Sequence, residues 1–286
     1  MIKKPITFVL FATAIFLSGC AYQQPITYQM ERDGMMWCKG NEFTFIGGNE
    51  CLIGTKKNDF EIISDIEISE LRIRVSRTKP SYFKCDSGHS EIVELVGPFN
   101  AFTSDVISKT FSTLSECYVQ GSHIKNVVHL TSDGGRLIDG IKVGELIREK
   151  GFRTYIPNDG MCASSCAVAF LGGKYRTING TGRVLVHAPY IRNTYDTSTY
   201  ELYKTMRSEI VCAGDLDQLR EYFVEMIGKE DGEFIYQQSM NYCSESSGWD
   251  FNKEAAALYN IDNTKELLES DYYKKRNARL SDKQIK

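Results

Sequence analysis

Histidine, proline and net basic charge are all scarce in this chain of 286 residues. Four histidines leave few side chains that can act as a general base or as nitrogen ligands of a metal ion. Six prolines exclude a collagen-like or proline-rich repeat. Lysine and arginine number 34 against 37 acidic residues, a formal net charge of −3, which disfavours binding to a polyphosphate backbone. Because 42% of the residues are hydrophobic, we expect a folded protein. The lack of excess basic charge leads us to expect no nucleic-acid partner.

Long apolar runs are also missing after the N-terminus, where no stretch approaches the roughly 20 residues that a membrane-spanning helix needs. The N-terminus itself is typical of an export signal, with Lys3 and Lys4 preceding a short apolar segment at 8–17. The four residues 17–20 then read Leu-Ser-Gly-Cys. This ending resembles the bacterial lipobox, in which a signal peptidase cuts before a cysteine that carries a diacylglyceryl group.

Lipidation of Cys20 is what the lipobox resemblance implies, and Ala21 in the next position resembles the sorting pattern of Gram-negative outer-membrane lipoproteins. We therefore expect a lipid-anchored protein of the cell envelope, held at the outer membrane and facing the periplasm. A lipoprotein signal peptide at 1–19 would be followed by a short tether at 20–30. The alternative is an ordinary cleaved signal that a cysteine happens to follow.

Cysteine usage agrees with export. Nine cysteines less the lipobox cysteine leave eight, an even number that predicts disulfide bonds in an oxidising compartment. Cys162 and Cys166 can either form a disulfide or pack as small buried side chains. The pairings that proximity favours are Cys38 with Cys51 and Cys212 with Cys243.

A metal site is an alternative use of one further cysteine. Cys85 lies four residues before His89, and His123 and His129 follow further along the chain. No paired CxxC or HExxH spacing supports such a site. We therefore expect neither a metal nor a cofactor.

Two regions follow the tether. A small β-rich region is predicted at 31–87, where β-branched runs are separated by glycine, asparagine and proline. From 88 to 265, apolar strands alternate with helical patterns, which predicts an α/β domain with a mostly parallel sheet and flanking helices. Residues 190–240 have a helical pattern, and 266–286 form a charged tail that we expect to be helical.

Three turns at the ends of predicted elements carry the residues best suited to chemistry. Gly134 follows one strand, Ser164 begins a helix, and His187 ends another strand. Because the carboxyl ends of parallel strands meet at one edge of a sheet, these turns can form one site. A serine becomes a useful nucleophile beside a base, which His187 can supply, and amides at glycines and at a helix start can hold negative charge.

The same three segments carry a family resemblance that covers residues 90–262. They read Ser-Asp-Gly-Gly at 132–135, Cys-Ala-Ser-Ser-Cys-Ala at 162–167 and Val-Leu-Val-His-Ala-Pro at 184–189. In this order they resemble the Clp protease proteolytic subunit, whose segments read S-P-G-G, A-A-S-M-G-A and M-I-H-Q-P. They resemble still more closely the exported ClpP-like proteins related to the signal peptide peptidase and crotonase superfamily. The resemblance implies a ClpP/crotonase-like fold for 88–265.

The resemblance also implies roles for individual residues. Ser164 matches the nucleophile and His187 the general base, and Ser165 is the second candidate for the nucleophile. The backbone amides of Gly134 and Ser165 match the oxyanion hole. A peptide or protein substrate and assembly into a homo-oligomer are further implications.

Two departures from the family pattern concern charge near this site. Asp133 stands where the family has proline, which adds a negative charge beside the expected oxyanion hole. The acid that should orient His187 has no clear counterpart, and the nearest carboxylates are Glu245 and Asp250. A Ser–His dyad, or a site without catalysis, is therefore the alternative to a triad.

A serine peptidase of the cell envelope, working through a Ser–His acyl-enzyme, is the function that these residues predict. The chain has no GxxxxGK[ST] signature, and an exported enzyme has no ATP supply, so we expect it to work without ATP. The alternative is a noncatalytic lipoprotein of the same fold that binds an envelope partner. Labelling with a fluorophosphonate, which reacts with nucleophilic serines, separates the two.

Cys20 is predicted to be the lipidated first residue of the mature protein. Mass spectrometry of protein extracted from membranes should find a diacylglyceryl group on Cys20, because that residue ends the lipobox-like segment. Cys20→Ala should release soluble protein or stall processing. A mature chain that begins at another residue, or an unmodified Cys20, would contradict the prediction.

Overall fold

The computed structural model describes residues 60–81, 83–196, 206–212, 216–243 and 247–269, and two short strands at 37–38 and 42–43. The strands are β1 (Trp37–Cys38), β2 (Glu42–Phe43), β3 (Phe60–Ile68), β4 (Leu71–Thr78), β5 (Glu91–Val96), β6 (Cys117–Val119), β7 (Ser122–Ile124), β8 (Val127–Thr131), β9 (Arg153–Ile156), β10 (Met161–Ala163), β11 (Arg176–Ile178), β12 (Arg183–Val186), β13 (Tyr190–Asp196), β14 (Met206–Cys212) and β15 (Trp249–Phe251). The helices are α1 (Thr103–Thr113), α2 (Leu137–Lys150), α3 (Ser165–Leu171), α4 (Asp217–Ile227), α5 (Lys229–Ser239), α6 (Lys253–Leu258) and α7 (Thr264–Glu269).

A six-stranded sheet in the order β11-β9-β8-β5-β4-β3 is the largest layer of the described structure. Strands β11, β9, β8 and β5 run parallel, whereas β4 and β3 join antiparallel at one edge. Parallel neighbours need crossover connections, which α1 supplies between β5 and β8 and α2 between β8 and β9. The predicted α/β class, with a mostly parallel sheet and flanking helices, is confirmed.

The boundary predicted at residue 87 does not separate two sheets, because β3 and β4 belong to the same sheet as β5 and β8. Ile73 and Val75 on β4 are buried in the common core. The β4 backbone pairs with β5 through six residues, ending at Arg77 opposite Glu91. The strand character predicted for this stretch is present, but alternation within a strand does not reveal which sheet it joins.

Helix α2 covers the sheet with a buried face. Ile141, Val143 and Ile147 all belong to the core and are at most 2% exposed. Full burial of such side chains contributes about 1.5–3 kcal/mol each. The helix ends at Gly151, whose φ of 63° lets its N–H return to carbonyls of the last turn. The helix therefore buries one apolar face in the core.

Close packing against α2 positions the start of α3. Gly140 on α2 faces Ser165, and a Cβ at this glycine would overlap the Ser165 carbonyl oxygen. The two helices can therefore approach only because residue 140 has no side chain. Within the described ranges, no helix combines the length and apolar character needed to cross a bilayer.

A second sheet, β10-β12-β15, begins beside the carboxyl end of β8. β10 and β12 run parallel, and β15 is antiparallel to β12. An isolated bridge links this sheet to the turn after β8: Ser132 N–H donates to Met161 O at 2.8 Å, and Ala163 N–H donates to Ser132 O at 2.9 Å. The turns that follow β8 and β10 are thereby held side by side.

Residues 190–212 contain two strands, so the helix predicted across 190–240 is wrong for this part. β13 and β14 pair antiparallel, from Tyr190 opposite Cys212 to Asp196 opposite Met206. Residues 190–195 read Tyr-Ile-Arg-Asn-Thr-Tyr, and such β-branched and aromatic residues favour strands. The helical prediction holds only for the later part, which forms α4 and α5.

Three disulfides lie within the described residues, and they join Cys85–Cys117, Cys162–Cys166 and Cys212–Cys243. The predicted pairing of Cys212 with Cys243 is confirmed, and Cys162 and Cys166 are bonded rather than merely packed. The pairing of Cys38 with Cys51 stays a prediction, because it lies outside the residues whose side chains are described. The signal peptide, the tether with Cys20 and the tail beyond residue 269 also lie outside them.

One face of the six-stranded sheet carries five polar side chains in register, one from each of five adjacent strands: Asp65, Arg74, Glu94, His129 and Tyr155. Glu94 is 3% exposed, its Oε2 finds no hydrogen-bond partner in the described part of the chain, and Arg74 Nη1 lies 3.9 Å away. Burial raises the pKa of Glu94 to about 8, although the charge of Arg74 acts to lower it. The Glu94 carboxyl is therefore mostly protonated at neutral pH.

Glu94→Gln should flatten the pH dependence of stability between pH 4.5 and about 8. In this window the folded protein keeps a proton on Glu94 that the unfolded chain releases, so the wild-type free energy of unfolding falls as pH rises. The slope from one such proton is at most ~1.4 kcal/mol per pH unit. Glutamine has no proton to release. Urea unfolding at several pH values measures the difference, and equal slopes in both proteins would contradict the prediction.

Candidate active site

Ser164 lies in the tight turn between β10 and α3. Its backbone has φ 57° and ψ −125°, a conformation that non-glycine residues rarely adopt and that costs about 1–3 kcal/mol. Ser164 N–H donates to Leu185 O at 2.8 Å, and Ser164 O accepts from Val168 N–H at 3.1 Å. Neighbouring strand and helix therefore hold this half-buried serine in a conformation that it would not adopt alone.

A disulfide spans the same turn. Cys162 belongs to β10 and Cys166 to the first turn of α3, and neither side chain is exposed. The bond joins the strand before Ser164 to the helix after it. The backbone at the serine therefore has little freedom to relax from its positive φ.

The glycine turn after β8 packs directly against Ser164. Gly134 has φ +104°, and a Cβ there would lie 2.6 Å from Ser164 Cβ and 3.2 Å from Ser164 Oγ. Glycine is required at this position both by the backbone conformation and by the lack of space. The structure thus brings together two of the segments that the sequence predicted to meet.

The two amides predicted for an oxyanion hole differ in availability. Ser165 begins α3, and within the described residues its N–H has no acceptor, as expected for the first turn of a helix. Gly134 N–H donates to Ser132 Oγ at 2.9 Å and is therefore not free. Gly135 lines the pocket, and its N–H finds no acceptor in the described part of the chain. The second free amide thus belongs to Gly135, one residue later than predicted.

His187 follows β12 and is half-buried. Its Nδ1 lies 2.8 Å from Ala188 O. Because a carbonyl oxygen only accepts, Nδ1 carries the hydrogen in this contact and Nε2 keeps its lone pair. The Tyr190 ring stacks on the imidazole, with ring centroids 5.5 Å apart and an interplanar angle of 28°. A main-chain carbonyl therefore fixes the neutral tautomer that can accept a proton.

Ser164 and His187 line one pocket of about 660 Å³. Among the described residues, no hydrogen bond joins Ser164 Oγ to the imidazole of His187. The distance between a nucleophile and its base is often longer before substrate binds. Asp133 also lines the pocket. The remaining lining residues are mostly apolar: Gly135, Arg136, Leu137, Met161, Ala163, Val168, Leu185, Val186, Pro189, Tyr190, Leu219 and Phe223.

Asp250, predicted as a candidate third member of a triad, is paired elsewhere. On β15 it lies opposite Leu185, with Arg183 two residues before that position and His187 two residues after it. The Asp250 carboxylate forms a salt bridge with Arg183, whose Nε lies 3.1 Å from Oδ1. The strong charge of Arg183 explains this choice of partner. Glu245, the other candidate, lies outside the described residues.

Sequence reasoning missed two groups of this site. The Ala188 carbonyl that holds His187 has no sequence signal, because every residue provides a carbonyl. The free amide of Gly135 could have been found, since the sequence contains two consecutive glycines and either could supply it. The identity of the free amide depends on the Ser132 hydroxyl, which accepts from Gly134.

The alternative metal site is not formed. Cys85 is bonded to Cys117, which removes the thiolate that a metal would need. His129 is buried against Tyr155, and burial lowers the pKa of its imidazole to about 3. Over the described ranges, no three His, Cys, Asp or Glu side chains come together as metal ligands could.

No protein-family model matches this chain, and no curated protein sequence matches it. A serine-to-alanine mutant of the 1510-N membrane-bound stomatin-specific protease aligns with 62% of this chain and 81% of that chain, at 16% identity and a TM-score of 0.41. A lysine-to-alanine mutant of the same protease in complex with a substrate peptide aligns with 62% and 76%, at 16% identity and 0.42. A ClpP1 mutant from Listeria monocytogenes aligns with 60% and 88%, at 16% identity and 0.41. At these values the function has to follow from the site of this chain itself.

Gly134→Ala should abolish the reactivity of Ser164 towards a fluorophosphonate. The added Cβ would displace the Ser164 side chain, and a displacement of about 1 Å can cost ~10²-fold in rate. Gly121→Ala is the matched control, because Gly121 has φ +72° but no atom within 4 Å of an added Cβ. It should lose stability through backbone strain and keep the labelling rate. Equal labelling of Gly134→Ala and wild-type protein would contradict the close packing.

Proposed function

We propose that the protein is a serine peptidase of the cell envelope, which cleaves peptide bonds without ATP through an acyl-enzyme on Ser164. The observation that carries the proposal is the backbone of Ser164, held at positive φ between β10 and α3 and in contact with Gly134. Strain of this kind collects at functional sites, because packing alone gives no reason to retain it. His187 on the same pocket supplies the base that a serine nucleophile needs.

In the first step the lone pair of Ser164 Oγ attacks the substrate carbonyl carbon, and the hydroxyl proton moves to His187 Nε2. The carbonyl π electrons move to its oxygen, which the free N–H groups of Ser165 and Gly135 stabilise together with the positive end of α3. His187 then returns its proton to the leaving amine as the C–N bond breaks, leaving an ester on Ser164. Water attacks that ester by the same route, and the acid product leaves with Ser164 restored.

Within the described residues no carboxylate is paired with His187, so the mechanism is written with a main-chain partner. The Ala188 carbonyl selects the tautomer, as an aspartate would, but it carries no full charge to stabilise the imidazolium that forms. Loss of the orienting aspartate in a Ser-His-Asp triad lowers kcat about 10⁴-fold, although there the tautomer also changes. We therefore expect slow turnover, with labelling of the serine easier to detect than product release.

Export and lipid anchoring are the second part of the proposal. Three disulfides within the described residues favour an oxidising compartment, where such bonds form and persist. Cys20 would carry the lipid and attach the protein to the outer membrane on its periplasmic side. A peptide or protein substrate fits this pocket, whose surface mixes polar and apolar groups and whose lining includes side chains such as Leu185, Leu219 and Phe223. Assembly into a homo-oligomer is also proposed.

A noncatalytic binding protein is the second candidate. The pairing of Asp250 with Arg183, rather than with His187, favours it, because a site that had lost its acid could keep the pocket for a partner. In this case the pocket would hold an apolar segment of an envelope protein, with no bond broken.

Ser164→Ala and His187→Ala should each abolish fluorophosphonate labelling while the circular dichroism spectrum stays unchanged. The two residues act as a unit, so the double variant should lose no more than either single one. Ser165→Ala keeps the backbone N–H that stabilises the oxyanion, and it removes a buried hydroxyl that has no hydrogen-bond partner among the described residues. It should therefore label nearly as wild type and be at least as stable.

His89→Ala changes a histidine outside the pocket and serves as the control for His187→Ala. Wild-type protein that is folded but stays unlabelled from mildly acidic to mildly alkaline pH would exclude the peptidase and favour the binding protein. Labelling at Ser165 instead of Ser164 would move the nucleophile by one residue.

A further inference from the structure

We propose that Cys212 and Cys243 are positioning residues for His187, and that reduction of their disulfide disables the base. The inference rests on the proposed function, since it concerns the regulation of the same site. The Cys212–Cys243 bond lies at the meeting point of two separate connections to His187, one through hydrogen bonds and one through a stacked ring. We call the bond the base staple.

The first connection starts from Cys243. Its neighbour Tyr242 accepts a hydrogen bond from Ala188 N–H at 2.7 Å through the Tyr242 carbonyl. The carbonyl of Ala188 in turn accepts from His187 Nδ1 at 2.8 Å. A displacement of the chain at Tyr242 therefore moves the peptide group that fixes the tautomer of His187.

The second connection starts from Cys212. Cys212 is the register partner of Tyr190 in the β13–β14 pair. The Tyr190 ring stacks on His187 at 5.5 Å between centroids. Movement of β14 at its last residue therefore reaches a face of the same imidazole.

The base staple ties these two connections together. Cys212 ends β14, whereas Cys243 follows the turn after α5, and 31 residues separate them in sequence. Their Cα atoms lie 5.8 Å apart, within the ordinary range for a disulfide. Without the bond, the end of the strand pair and the turn after α5 lose the covalent link that keeps both at His187.

Among the three disulfides of the described residues, the base staple is also the one that a reductant reaches most easily. Cys212 is exposed and Cys243 half-buried, whereas Cys85, Cys117 and both cysteines beside Ser164 are at most 7% exposed. Thiol–disulfide exchange requires access of a thiolate to a sulfur atom. A dithiol reductant would transfer two electrons and two protons, leaving two cysteine thiols and its own disulfide. A small-molecule disulfide reverses the exchange, with its thiols as products.

The test treats the folded full chain with a mild dithiol and maps the free thiols by alkylation and mass spectrometry. Cys212 and Cys243 should be modified first, and the rate of fluorophosphonate labelling should fall about 10²-fold, the loss expected when a catalytic group moves by about 1 Å. Reoxidation with a small-molecule disulfide should restore labelling. A Cys212→Ser/Cys243→Ser variant should label slowly from the start and should not respond to the dithiol.

Cys85→Ala/Cys117→Ala is the matched control. It removes a disulfide, but neither of these cysteines lines the pocket that contains Ser164 and His187. It should lose stability and keep the labelling rate. If both double variants lose labelling in proportion to their loss of stability, the base staple is merely structural and the inference is overturned.

The tautomer of His187 gives a readout that does not depend on catalysis. In ¹⁵N-labelled protein, the imidazole shifts of His187, assigned with His187→Asn, should show hydrogen on Nδ1 when the base staple is closed. Reduction should give a mixture of tautomers. Unlabelled wild-type protein whose His187 still responds to reduction would refute the peptidase and leave the positioning role intact. If selective reduction of the base staple changes neither the labelling rate nor the His187 tautomer, the inference is refuted and the proposed peptidase function is not affected.

Discussion

Two backbone hydrogen bonds at Ser132 fix the arrangement on which the candidate site depends. They join the residue after β8 to Met161 and Ala163 at the two ends of β10. Because side chains alternate along a strand, a shift of this register by one residue would turn Ser132 and Cys162 to opposite faces. The Ser132 hydroxyl also accepts from Gly134 N–H, so one residue sets both the register of the strands and the direction of the glycine turn.

The conformation of Ser164 follows from that register. Its N–H meets Leu185 on the neighbouring strand β12, and Gly134 occupies the space beside its side chain. The left-handed backbone costs about 1–3 kcal/mol, which is comparable with one or two net hydrogen bonds. The surrounding contacts can offset a cost of this size, and the disulfide across the turn removes the alternative conformations. The serine hydroxyl is therefore placed by the backbone of three neighbouring segments.

The site was largely predictable because strand order along the chain determines which turns meet at a sheet edge. Gly134, Ser164 and His187 all follow or precede apolar runs that the sequence displays. In the structure Ser164 and His187 line one pocket, and Gly134 packs against Ser164. Partners were not predictable. Asp250 lies opposite Leu185, and Arg183 and His187 are two residues to either side of Leu185. Because side chains alternate along a strand, Arg183 and His187 are both expected on the same face as Asp250. Whether Asp250 pairs with Arg183 or with His187 depends on the positions of the charged atoms in the folded chain, which a sequence pattern does not contain.

The Cys162–Cys166 bond imposes an order on folding. Both sulfur atoms belong to side chains with no exposure, and an oxidising thiol or disulfide must touch a sulfur to react with it. No such reagent reaches them once α3 has packed into the core. The bond therefore closes while the helix is still apart from the sheet. A folded chain that contains this disulfide must have met oxidising conditions before α3 packed.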